Sequence, residues 1–120
     1  MTMAVEDPSK LFTLQMAARQ LAAWVKTEHL TPDELAAEVR SGGPRLQQLW
    51  ATASPWQRTM ARAMAGRVGT EWTRQDSWTI IRQFAADPAC RDHGRRLQDP
   101  ALFQAFHVLT LKTLQTVRQG

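Results

Sequence analysis

The chain has 120 residues, of which 43% are apolar and 22% charged, the balance of a folded domain rather than of a disordered segment. A single cysteine, Cys90, excludes an internal disulfide framework and any cysteine-rich zinc module. No run approaches the roughly 18 uncharged apolar residues that a membrane-spanning helix needs. The opening Met-Thr-Met-Ala-Val-Glu-Asp carries neither a basic start nor an apolar stretch, so residues 1–7 read as a flexible tail rather than a signal peptide. The expectation is a single cytoplasmic domain, residues 1–120, without membrane contact.

Net charge is +4, and arginine supplies 12 of the 15 basic residues. It is unevenly spread. Residues 1–40 hold six acids (Glu6, Asp7, Glu28, Asp33, Glu34, Glu38) against four bases, while residues 41–120 hold five acids against eleven bases. A guanidinium fork suits phosphate and carboxylate, so this excess fits an anionic partner; a genome rich in GC produces the same bias without any partner.

Helix starts are written in proline. Asp7-Pro8, Thr31-Pro32, Ser54-Pro55, Asp87-Pro88 and Asp99-Pro100 each place a capping oxygen before a residue whose missing N–H costs nothing in a first turn. Thr31 with Glu34 and Ser54 with Gln57 have the capping-box spacing, and Thr73 with Asp76 is a weaker version. Stops fall at Ser41-Gly42-Gly43, between Gly66 and Gly69, and at Gly94. These signals predict helices over 8–27, 32–40, 44–52, 55–68, 73–86, 88–93 and 100–118. No sustained period-two alternation or hairpin dipeptide occurs. The predicted fold is all-α, a bundle of six to seven helices whose long first and last members are central to the core.

In the first helix Leu11, Leu14, Ala17, Ala18, Leu21, Trp24 and Val25 share a stripe. In the last, Leu102, Phe103, Phe106, Leu109, Leu114 and Val117 do the same. Trp56, Met60, Met64 and Val68 predict a third core stripe, and Trp78, Ile81, Phe84 and Ala85 a fourth. Left over are Phe12 and Met16 on the first helix and Val108 and Leu111 on the last, which serve a central position, a homo-oligomer contact or a protein partner. Of the five tryptophans, Trp50 and Trp72 lie by helix ends and are predicted to be exposed.

Two basic groups suggest nucleic acid. Arg58 and Arg62, one turn apart, are predicted to face away from Trp56 and Met60 on a side that also carries Ala65 and Gly66, where small residues would let a phosphate backbone approach. Arg91, Arg95 and Arg96 cluster around His93, with Arg45, Arg74 and Arg82 as auxiliaries. A solvated surface is the alternative reading of either group. Residues 32–52 also form a thin helix-turn-helix candidate, in which only Arg45, Gln47 and Gln48 would read a groove.

Catalytic signals are weak. Cys90 and His93 have the spacing of two metal ligands or of a nucleophile and base, but neither further ligands nor an orienting group stand nearby in sequence. Ser41-Gly42-Gly43-Pro44 lacks the lysine and the preceding strand of a phosphate loop. The sequence therefore predicts a non-enzyme without cofactor or metal: a small basic helical chain binding nucleic acid, alone or as a subunit of a nucleoprotein assembly. The alternative is a protein–protein module using its spare apolar faces.

Overall fold

The computed structural model describes residues 8–119, and all regular structure among them is helical. In chain order these are α1 (Pro8–Thr27), α2 (Pro32–Arg40), α3 (Pro44–Ala51), α4 (Pro55–Val68), α5 (Arg74–Ala85), a short 3-10 turn (Pro88–Cys90), α6 (Arg91–Leu97) and α7 (Pro100–Gln119). The predicted tail, with its Asp7 cap, lies outside the described residues.

The caps form as the side-chain chemistry dictates. Thr31, Ser54 and Thr73 each accept the backbone N–H three residues on, and Glu34, Gln57 and Asp76 each return a bond to the cap's own N–H. Asp87 accepts from Ala89 N–H to start the 3-10 turn. The carbonyl and the side chain of Asp99 accept from Phe103 and Leu102 at the head of α7. Each such cap contributes about 1 kcal/mol. Between α2 and α3 the chain reverses through Gly42 (φ 82°) and Gly43 (φ 75°), a left-handed backbone that suits glycine. A side chain at Gly43 would also stand 2.8 Å from Leu109 Cδ1.

The predicted stop at Gly94 is not one. The segment expected as a single helix over 88–93 is a 3-10 turn followed by α6, which runs through Gly94 to Leu97. Gly94 is there because α6 presses on α5: a Cβ at this position would meet the Ala85 Cβ and lie 2.9 Å from the Ala85 Cα. The glycine permits a close helix approach, so α6 gains a turn that the sequence does not advertise.

Leu14, Ala18, Ala22 and Val25 of α1, Leu35, Ala36 and Val39 of α2, and Leu102, Phe103 and Phe106 of α7 enclose the core. The largest fully buried side chains are Phe84 and Ile81 of α5 with Leu97 of α6, where the two short helices meet. α1 packs on α4 and α5, while α7 touches α2, α4, α5 and α6. The predicted fourth stripe is interior at Ile81 and Phe84, with Trp78 and Ala85 half-buried at its edge.

The third stripe is interior only at its end, with Val68 buried and Met64 half-buried, while its first half faces out. Trp56 is 70% and Met60 45% exposed, whereas Ala65 is 2% exposed. α4 docks through Ala61, Ala65 and Val68, small residues that let it lie close to α1 and α7, and its bulky apolar pair faces solvent. Ala65 is therefore unable to admit a phosphate backbone: its face is the one turned to the protein.

Candidate nucleic-acid interface

Ala85 meets Gly94, while Gln75 and Trp78 share a groove with Gln98, so α5 and α6 run antiparallel. On α5, Arg74, Trp78 and Arg82 succeed one another at four-residue spacing, on the side that also carries Ala85. On α6, Arg91 and Arg95 stand on the exposed side, opposite buried His93 and Leu97. Arg96 turns toward α2 and pairs with Asp33. Arg40, the last residue of α2, comes to the same corner.

Two open grooves flank the turn between α6 and α7. One, of about 520 Å³, is lined by Arg40, Arg95, Arg96, Gln98, Asp99 and Leu102. The other, of about 360 Å³, is lined by Arg74, Gln75, Trp78, Gln98, Pro100 and Phe103. Gln98 belongs to both, so they are neighbours.

Most of the charge at this corner is uncompensated. The guanidinium groups of Arg40, Arg82, Arg91 and Arg95 are exposed and form no ion pair or hydrogen bond among the described residues. The carboxylates at hand are Asp33, already held by Arg96, with Asp92 and Asp99. Asp87 is answered by Lys26 at 2.5 Å; that bond, with the Ala89 N–H, draws its carboxyl below the usual range. Arg74 donates to Gln104 and lies 4.9 Å from the Phe103 ring centre, so it is a wall of the second groove.

Five of the predicted contacts (Arg74, Arg82, Arg91, Arg95, Arg96) thus gather on α5 and α6. Arg58 does not join them, because it is structural. Half-buried, it donates through Nε to Ala53 O at 3.2 Å and through a terminal nitrogen to Trp50 O at 2.9 Å, and stacks over the Trp50 indole at 4.9 Å. It thereby adds charged donors to carbonyls at the end of α3 and in the turn after it. Arg62 is exposed on the same helix, which packs on α1 and α7 and has no substantial contact with α6. Arg40 escaped sequence reading because it stands apart from the other bases of the acidic first third; only the docking of α2 on α6 and α7 brings it here.

Of the helix-turn-helix candidates on α3, Arg45 lies 3.9 Å from Glu34 and Gln47 donates to Gly42 O, which leaves only the exposed Gln48 to face a groove. Trp50 and Trp72, predicted to be exposed, are half-buried; Trp50 lies under Arg58, and the Trp72 indole N–H donates to Ser77 Oγ at 2.9 Å. Because that oxygen already accepts, the Ser77 hydroxyl proton is available to His107 Nδ1 at 2.7 Å. His107 stacks on Phe103, and burial, followed by the nearby Arg74 charge, lowers its pKa against the opposing pull of Asp76. Ser77 is fully buried, so this serine–histidine pair is a structural link between α5 and α7.

Cys90 is likewise fully buried, and desolvation pushes its thiol up, with Asp87 adding to it. His93 Nε2 lies 2.7 Å from Leu30 O, an arrangement in which the ring donates and ties α6 to the α1–α2 turn. No set of three or more metal-binding side chains gathers among the described residues, and no helix among them is long and apolar enough to cross a membrane. Of the leftover apolar residues, Phe12 (55%) and Val108 (52%) are exposed, while Met16 and Leu111 are half-buried. No protein-family model, curated protein or solved structure matches the chain.

Proposed function

We propose that this chain is a non-enzymatic helical module that grips the phosphate backbone of a nucleic acid at the corner where α2, α5, α6 and α7 meet, alone or as a subunit of a nucleoprotein assembly. The observation that carries this reading is the groove lined from two helices by Arg40 and Arg95, exposed guanidinium groups with no polar partner among the described residues. Such forks bind phosphate oxygens in pairs and release condensed counterions as they do so. Arg82 and Arg91 extend the positive surface along the seam of α5 and α6.

The test is fluorescence anisotropy with labelled single- and double-stranded oligonucleotides across a salt series. Four phosphate contacts predict a slope of log affinity against log salt of about −3, taking roughly −0.7 to −0.9 per contact. Arg40→Ala with Arg95→Ala weakens binding on every sequence and flattens that slope; Arg58→Ala does not. Absence of binding at low salt overturns the proposal.

A second reading is favoured by one observation: Trp56 and Met60, one turn apart, form an apolar pair on the outer face of α4. That is the kind of surface a protein partner covers, and such docking responds little to salt. Light scattering over a concentration series, compared with Trp56→Ser, separates self-association from a persistent monomer.

A further inference from the structure

We infer that the nucleic acid held at this corner is single-stranded, with one base inserted into the groove between Arg74, Trp78 and Phe103 while the adjoining phosphates lie on Arg40 and Arg95. This rests on the phosphate-binding reading above and adds to it the state of the strand.

The second groove has the walls a nucleobase needs. Half-exposed Trp78 is the ring on which a base can stack; Phe103, edge-on to it with ring centres 5.3 Å apart, is buried between Arg74 and His107 and backs the groove, and Pro100 completes its apolar surface. Two carboxamides, Gln75 and Gln98, stand at its rim, and each offers both a donor and an acceptor to a base edge. The Trp78 indole N–H has no partner among the described residues. Arg74 is fixed above Phe103, so it presents a flat cationic face for stacking rather than a free fork for phosphate.

Position supplies the second half of the argument. Gln98 lines both grooves, so the aromatic walls directly adjoin the Arg40–Arg95 cleft. A cationic track beside an aromatic platform is the arrangement by which single strands are held: the backbone follows the charge and an unpaired base stacks on the rings. In a duplex every base is already stacked and paired, so the aromatic groove would stay empty and only the charge would act.

The experiment compares three ligands on the 120-residue chain at low salt: a labelled single strand, the same strand with its bases removed as abasic sites, and the corresponding duplex. DNA and RNA versions are run in parallel to identify the preferred sugar. The single strand binds about tenfold tighter than its abasic counterpart, the increment of one stacked base. Gln75→Ala with Gln98→Ala, both at exposed positions, narrows that gap without altering the salt slope. Trp78→Leu closes it, and circular dichroism establishes that this variant is folded. An abasic strand that binds equally well, or a duplex that binds as tightly as the single strand, overturns the base pocket and leaves the phosphate grip standing. Failure of all three ligands to bind overturns both.

Discussion

Replacing Gly94 with alanine puts a methyl group where α6 crosses α5, and the structure sets the size of the effect. The new Cβ would lie 2.9 Å from the Ala85 Cα and 3.3 Å from its nitrogen, with the Ala85 methyl closer still, where ordinary contact is 3.4–4 Å. Relief requires the backbones to part by at least the difference, 0.5 Å, at the most buried junction of the molecule. Overpacking of this kind costs about 3 kcal/mol, because the obstacle is backbone rather than a swinging side chain. Alanine returns about 1 kcal/mol of helix propensity, leaving a net loss of about 2 kcal/mol, or roughly 8 °C in melting temperature. Gly66, helical in α4 with nothing within 4 Å of a built Cβ, is the control: Gly66→Ala keeps the propensity gain and stabilises by up to about 1 kcal/mol. Urea titration of both variants reads the contrast. If Gly94→Ala were as stable as Gly66→Ala, α6 would not lie against α5 as described, and the placement of Arg95 and Gln98 would fall with it.

Arg58→Ala frees the end of α3 and removes the stack on Trp50, costing about 1 kcal/mol in urea denaturation while oligonucleotide affinity is unchanged. Trp56→Ser shifts stability by less than about 0.5 kcal/mol, since the indole is 70% exposed; a loss near 3 kcal/mol would restore it to the core. His107 has a lowered pKa in the folded chain, so the unfolded chain binds its proton more readily. The stability it contributes is complete above about pH 6.5 and drains away as pH falls below that value. Urea midpoints measured downward from about pH 7.5 therefore decline in the parent protein and decline less in His107→Gln, with equal slopes refuting the assignment.

Helix starts were legible because they depend on neighbours three residues apart: Thr31 with Glu34 and Ser54 with Gln57 cap as their spacing predicts, and even the weaker Thr73–Asp76 pair closes its box. Which face of α4 turns inward was not legible. Periodicity favours burying Trp56 and Met60, but the neighbours of α4 accept small side chains, and Arg58 is needed inward to meet the carbonyls of α3. Gly94 misled for a related reason, since a glycine that ends a helix and one that admits a neighbour look alike until the neighbour is placed. At the candidate interface, the α6 arginines were visible as a local run. Arg40 was not, because its proximity to Arg95 is made only by the packing of α2.

No residue of α3 is buried, and polar tethers hold it: Leu46 N–H on Glu38 at 3.1 Å, Arg45 beside Glu34, and Arg58 at its far end. Bonds of this kind surrender to water at little cost, so α3 opens at a small fraction of the global unfolding free energy, and its amides are the earliest to exchange in deuterated solvent. Arg40 precedes that segment across Ser41 and two left-handed glycines. A ligand that immobilises Arg40 therefore slows exchange along α3, a readout of occupancy far from any base or phosphate.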